Sequence, residues 1–120
     1  MQSQPSVDAT VNQNETGMSP SLFNASGIVL PSVDLIRAIG GSSGIVLTLT
    51  PMIYNTGSPG KPVRLYQVYY GIKIDAEAGM VSFLDPNGAL FNGQPGYDLI
   101  DQWQSVIMGW TGSSWDCFGN

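Results

Sequence analysis

The stretch from Leu90 to Trp115 constrains the fold most, because turn chemistry and strand chemistry alternate within it over a short distance. It contains Asn92-Gly93, which favours a turn because Gly accepts positive φ at no steric cost. Residues 105–110 are rich in the β-branched and aromatic side chains that suit a pleated, half-buried surface. Residues 111–114 predict a second turn, so we expect the chain to end in a β-hairpin.

Composition extends this expectation to the whole chain. Charged residues make up only 11 % of the sequence, against about a quarter in typical globular proteins. Gly and Pro contribute 15 and 8 of the 120 residues, which leaves little room for long solvated helices. Seven or eight short strand-like runs recur about every ten residues, a spacing typical of β-sandwiches and barrels. The sequence therefore predicts an all-β knob, either a β-sandwich or a β-barrel-like domain.

One segment departs from this pattern. Ser32 is placed as a helix N-cap before residues 33–39, and Gly40-Gly41 follows where a C-cap is expected. Leu35, Ile36 and Ile39 then fall on one face at helical spacing. We therefore expect one short helix.

Charge and residue types argue against several classes of function. The net charge is −5 with only four Lys and Arg residues, whereas nucleic-acid binding needs clustered cations. The absence of His and the single Cys117 exclude a Ser-His-Asp triad and a zinc site, so we expect no cofactor and no metal. Paired carboxylates remain as the alternative of a small hydrolytic enzyme, either Asp98 with Asp101 or Asp75 with Glu77. Asp98 and Asp101 lie in or beside a turn, where carboxylates usually bond backbone amides or face water.

Three acidic residues could supply oxygen ligands for Ca²⁺, but they lack EF-hand spacing: Asp75, Glu77 and Asp85. The Gly-rich run at 40–44 lacks the Lys of a phosphate-binding loop and is interpreted as a turn. No apolar run approaches the ~20 residues of a membrane span, and no basic-then-apolar leader begins the sequence. We therefore expect no membrane association.

Residues 1–21 form a polar segment that we interpret as an extended N-terminal arm, ahead of a β-rich domain at 22–120. The arm contains no Lys or Arg and few large apolar residues, so alone it buries too little area to offset its ordering entropy. Such a segment orders on a partner. The residues expected to make its contacts combine apolar anchors with amides: Gln4, Val7, Val11, Asn12 and Met18.

Aromatic residues are the remaining candidates for function. We expect them to fill the core or a subunit interface, where aromatic side chains carry much of the energy. A carbohydrate-binding platform is the alternative. The residues expected in the core or a trimer interface are Tyr66, Tyr69, Tyr70, Trp103, Trp110 and Trp115.

Two long segments carry a resemblance. Residues 30–50 read LPSVDLIRAIGGSSGIVLTLT and residues 91–115 read FNGQPGYDLIDQWQSVIMGWTGSSW. Both are similar to signatures of small β-rich virion proteins of tailed bacteriophages, which include capsid decoration (cement) proteins and modules of tail and head fibres. The resemblance covers most of the domain, from about Ile28 to Trp115.

The resemblance implies a non-enzymatic homotrimer on the outer surface of the virion, made in the cytoplasm of a host bacterium. Because only the short arm precedes the domain, we expect a capsid decoration protein whose partner is the major capsid protein of the phage head. Each arm would lie along neighbouring capsid subunits and stabilise their contacts. The alternative is a fibre or tail-tip module that binds a host receptor or carbohydrate.

Overall fold

The computed structural model describes residues 20–50, 53–55, 62–64 and 67–119. All the regular secondary structure in these ranges is β-strand. The predicted all-β fold is confirmed. Eleven strands occur in this part of the chain: β1 Pro20–Phe23, β2 Gly27–Val29, β3 Leu35–Ala38, β4 Ile45–Leu49, β5 Ile53–Asn55, β6 Pro62–Arg64, β7 Val68–Lys73, β8 Val81–Leu84, β9 Tyr97–Leu99, β10 Ser105–Trp110 and β11 Trp115–Gly119.

Two mixed sheets form the body of the domain. The larger has the strand order β1-β3-β7-β10-β11, in which β1, β3 and β7 run parallel and β10 pairs antiparallel with both β7 and β11. The second has the order β2-β4-β8-β9, with only β9 antiparallel to its neighbour. Strands β5 and β6 form a separate two-stranded ribbon.

The core lies between the inner faces of the two larger sheets, the arrangement of a β-sandwich. Strand β7 illustrates how one face of a sheet supplies the core. Tyr69, Gly71 and Lys73 are buried while the alternate residues are partly exposed, because successive side chains of a strand point to opposite faces. The buried cluster joins both sheets and contains Val29, Ile36, Ala38, Ile45, Leu47, Leu49, Tyr69, Val81, Phe83, Phe91, Leu99, Val106, Met108, Trp110, Trp115 and Cys117.

The predicted short helix at 33–39 is wrong. Residues 35–38 form strand β3, in which Ile36 and Ala38 are buried and Arg37 is exposed. A seven-residue helix gains too few hydrogen bonds to offset its nucleation, whereas this strand is paired on both sides, with β1 and with β7. The apolar spacing at 35, 36 and 39 was ambiguous, and the glycines after it end a strand instead of a helix.

The segment around β6 and β7 contributes to two different sheets. Strand β6 ends at Arg64 and pairs with β5, whereas β7 begins at Val68 and is the central strand of the larger sheet. Strand β1 begins at Pro20, slightly ahead of the boundary predicted at residue 22, and residues 1–19 lie outside the described ranges.

The terminal hairpin is confirmed. Strands β10 and β11 pair antiparallel from Trp110↔Trp115 outwards, and the amide of Thr111 donates to the carbonyl of Ser114 across the turn at 2.9 Å. The turn predicted at Asn92-Gly93 is also present, and it is tight because both residues have positive φ, at 50° and 82°. Asn and Gly are the residues that tolerate this conformation, which matches the turn expected there.

Candidate interaction surface

The outer face of the larger sheet carries an apolar row that crosses the strands. Pairing places Leu35 of β3 beside Tyr70 of β7, Tyr70 beside Ile107 of β10, and Ile107 beside Phe118 of β11. Paired residues project from the same face of a sheet, so these four side chains form one continuous row. Phe118 is 66 % exposed. We call this surface the outer face.

A second row of the outer face lies beside the first. Leu22 of β1 pairs with Arg37 of β3, and Arg37 pairs with Ile72 of β7. Leu22 is 57 % exposed, and the Arg37 side chain is exposed as well. Contiguous exposed apolar side chains, especially when bordered by a charged residue, mark interaction sites on soluble proteins more than singly scattered ones do. The outer face is therefore a candidate interaction surface.

Trp103 overhangs one end of the outer face. It is 60 % exposed and has φ of 68°, a left-handed conformation that is rare for a bulky side chain and costs about 1–3 kcal/mol. The loop is fixed around it, because the Trp103 amide donates to the Lys73 carbonyl at 2.7 Å. The Gln104 side chain also accepts from the amides of Ile100 and Asp101.

Trp103 and the outer face enclose a groove of about 440 Å³. Its lining is largely apolar, and Arg37 supplies the one charged side chain among the residues that form it. Backbone strain that persists in a folded protein is held by surrounding contacts and is concentrated at functional sites. The groove is lined by Leu35, Arg37, Tyr70, Gly71, Ile72, Ile74, Trp103, Ser105, Val106 and Ile107.

The aromatic residues singled out from the sequence divide between core and surface. Tyr69, Trp110 and Trp115 are buried, and the Trp115 ring lies 5.9 Å from Tyr69 and 5.2 Å from Trp110 between centroids. Tyr70 and Trp103 instead line the groove. Tyr66 lies outside the described residues, as do the predicted arm contacts Gln4, Val7, Val11, Asn12 and Met18.

The strand that carries Phe118 is anchored from the inner side. The Trp115 indole donates to the buried carboxylate of Asp85 at 3.0 Å, and the same carboxylate accepts from the amides of Asn87 and Ala89. The side-chain amide of Asn92 bonds both the amide and the carbonyl of Cys117, at 2.8 and 2.9 Å. These contacts satisfy backbone groups on the edge of β11 that a second chain would otherwise use.

An ion pair fixes the end of β7 beneath Trp103. The ammonium of Lys73 is fully buried and donates to the Asp75 carboxylate at 2.9 Å and to the carbonyls of Asp75 and Glu77, both at 2.8 Å. The same carboxylate accepts from the amides of Gly40 and Gly41, at 2.9 and 3.0 Å. Lys73 and Asp75 thus tie the start of the β3–β4 turn to β7.

The environment of Asp75 holds its carboxyl group ionised. Burial acts to raise the pKa of Asp75, but hydrogen bonds from Lys73, Gly40 and Gly41, with the charge of Lys73, outweigh burial and lower the pKa from 3.8 to about 2. Burial, with the nearby charge of Asp116, raises the pKa of the Cys117 thiol to about 11. Cys117 therefore stays protonated at neutral pH, which makes it a poor nucleophile.

The acidic residues that could act as ligands or catalysts either bond other groups of the fold or face solvent. Asp75 and Asp85 use their oxygens on the contacts given above, and Asp98 and Asp101 are exposed. Across the described residues, no group of three or more His, Cys, Asp or Glu side chains is placed to hold a metal ion. The same part of the chain contains no helix that is long and apolar enough to cross a membrane.

Sequence reasoning missed most of the outer face. The sequence predicts a helix at Leu35 and Arg37, and it predicts strands at Ile107 and Phe118 without indicating which side of them is exposed. Each of them has an apolar neighbour that the structure buries: Ile36 lies between Leu35 and Arg37, Val106 precedes Ile107, and Cys117 precedes Phe118. What the sequence does not contain is the pairing that aligns them across four strands.

Comparisons of this chain with protein-family models, with curated proteins and with solved structures find no match.

Proposed function

We propose that this chain is a structural virion protein, a homotrimeric capsid decoration (cement) protein on the outer surface of a tailed-phage head. It binds the major capsid protein and stabilises contacts between neighbouring capsid subunits. The proposal joins two supports. The sequence signatures at 30–50 and 91–115 resemble those of phage virion proteins, and the outer face presents large exposed apolar side chains whose burial against a partner would be favourable.

The outer face is the observation that carries the proposal. Leu22, Ile107 and Phe118 are exposed on one side of a sheet whose other side is a closed core. Exposed apolar surface of this kind favours association because burying it removes about 25 cal/mol per Å² of unfavourable hydration. A decoration protein needs such a surface, since it acts by binding its own copies and the capsid.

The mechanism is thermodynamic. A trimer offers three N-terminal arms at once, so binding of the first raises the effective concentration of the other two at neighbouring capsid subunits. A ligand that binds one arrangement of the capsid and not another stabilises that arrangement by mass action. The decoration protein thereby favours the expanded head that presents all three sites together.

The first experiment is quantitative mass spectrometry of purified virions, with the major capsid protein as the reference. We expect hundreds of copies per particle. A handful of copies, in a multiple of three, would place the protein in the tail or neck. Absence from the particle would overturn the virion assignment.

The second experiment separates the arm from the domain. Deleting residues 2–19 spares strand β1, which begins at Pro20 and pairs with β3. We expect the shortened chain to fold and assemble as the full chain does but to lose its binding to heads. Triple replacement of Val7, Val11 and Met18 with Ser is the matched full-length control and should weaken binding in the same direction. Undiminished decoration by the deleted chain would refute the role of the arm.

A fibre or tail-tip module that binds carbohydrate is the second candidate, and the groove is the observation that favours it. Tyr70 and Trp103 present aromatic surface there, beside the charged Arg37. Aromatic rings stack on the apolar faces of sugars, and Trp103 is held in a costly backbone conformation. This candidate predicts that Trp103→Ala abolishes host adsorption while heads remain intact. Normal adsorption by that variant would exclude it.

A further inference from the structure

The outer face has different charges at its two lateral sides. Arg37 lies on β3, next to the edge strand β1, and Asp116 lies on the opposite edge strand β11. Asp116 projects from the outer face because it alternates with the buried Trp115 and Cys117. Each charge has a large exposed apolar neighbour, Leu22 beside Arg37 and Phe118 beside Asp116. Each lateral side thus combines one charge with one exposed apolar side chain.

The side chains of Arg37 and Asp116 make no hydrogen bond or ion pair with another of the described residues. They also lie too far apart to bond each other within one copy. Pairing places them three strands apart, about 14 Å, and the register places them four residues apart along the strands, about 13 Å. The separation of about 20 Å is several times the reach of an ion pair.

We propose that three copies of this chain close a ring in which the β3 side of each outer face meets the β11 side of the next copy. Arg37 of one copy then pairs with Asp116 of the next, and Leu22 packs near Phe118. This inference rests on the proposed trimer and names the surface that forms it. A contact between two different patches is heterologous, and a heterologous contact generates a closed ring when the rotation that relates neighbouring copies closes, here after three copies.

The ring accounts for the middle of the outer face. Leu35, Tyr70 and Ile107 lie between the two charged sides, so closure turns them towards the three-fold axis and away from water. The charges add selectivity, because a contact between two β3 sides or two β11 sides would bring like charges together. Complementary charges at the rim of an apolar contact fix its register.

The test is a charge exchange read by light scattering coupled to size-exclusion chromatography at micromolar concentration. Arg37→Asp and Asp116→Arg each place like charges at every contact, so we expect each to shift the trimer towards monomer, with assembly weakened about tenfold or more. The double variant R37D/D116R restores opposite charges at each contact and should restore the trimer. Because the two residues cannot bond within one copy, recovery reports a contact between copies.

Controls make each outcome decisive. Asp98→Arg makes the same charge change on the exposed face of β9, in the other sheet, and should leave the trimer intact. Circular dichroism and tryptophan fluorescence verify that every variant is folded. Four outcomes would overturn the ring while leaving a decoration role open. The single variants could remain trimeric, the double variant could fail to recover or could recover only as a dimer, or D98R could weaken assembly as much as they do. A monomeric wild type would overturn the trimer of the proposed function itself.

Discussion

Replacing Asp75 with Asn removes the carboxylate that bonds the buried ammonium of Lys73. The side chain of Asp75 is only 14 % exposed, so water can do little to compensate. Asn keeps one acceptor oxygen, and Lys73 keeps its bonds to two backbone carbonyls. Breaking a buried ion pair by removing one partner costs about 3–5 kcal/mol, and the surviving bonds place our expectation at about 3 kcal/mol of unfolding free energy.

The same substitution changes how stability depends on pH. The pKa of Asp75 is about 2 in the folded protein and 3.8 in its ordinary state, a difference worth about 2 kcal/mol at 1.36 kcal/mol per pKa unit. Because the folded pKa is the lower one, this contribution is fully present above about pH 5 and disappears as the pH falls through 3.8 towards 2. Between pH 5 and pH 2, stability should fall about 2 kcal/mol further in the wild type than in the Asn variant.

Urea unfolding followed by tryptophan fluorescence measures both effects, at one fixed protein concentration because association adds to apparent stability. Glu77→Gln is the matched control, since Glu77 contributes only its backbone carbonyl to the Lys73 contacts. It should change stability by less than about 0.5 kcal/mol. Equal pH dependence in the wild type and the Asp75→Asn variant would refute the argument that this carboxylate is held ionised by Lys73 and the two glycine amides.

Three further substitutions test other parts of the fold. Gly79→Ala should cost about 3 kcal/mol by urea unfolding, because a Cβ there meets backbone atoms of the β3–β4 turn that cannot move aside, whereas Gly27→Ala has open space and should be tolerated. Asn92→Ala should cost about 2 kcal/mol, since both bonds to Cys117 are lost; unchanged stability would show that water replaces them. Trp103→Asn should leave stability unchanged or raise it by about 1 kcal/mol, because Asn tolerates positive φ; a loss above 1 kcal/mol would mean that the indole packs as part of the fold.

The fold class could be predicted because the local signals for strands and turns agree along most of the chain. The hairpin of β10 and β11 combines β-branched and aromatic strands with a turn of small polar residues, and all of these favour one structure. Strand β3 could not be predicted, because a short apolar segment of this kind satisfies both periods. Its partners decide the outcome, and β7 is more than thirty residues away in sequence.

The candidate surface was harder to predict than the fold. A sequence shows which residues alternate along one strand, but it does not show which strands are neighbours. Leu35, Tyr70 and Ile107 come from three distant segments and become adjacent only through the crossover order of the larger sheet. The positive φ of Trp103 gave no local signal either, because no Gly or Asn marks that position.

The contacts that stabilise the fold are physically separate from the outer face. Lys73 and Asp85 are buried and bond towards the interior, and Asn92 bonds the edge of β11. None of these three side chains projects from the outer face. Variants on that face, such as Ile107→Ser, should therefore weaken association and change the free energy of unfolding of dissociated chains, measured by urea unfolding, by only about 1 kcal/mol, because Ile107 is already 40 % exposed in a single copy. Variants of the interior contacts should lower the free energy of unfolding but leave the oligomeric state at high protein concentration unchanged. If Ile107→Ser lowered the stability of dissociated chains as much as it weakened association, the outer face would belong to the fold and would not be an interaction surface.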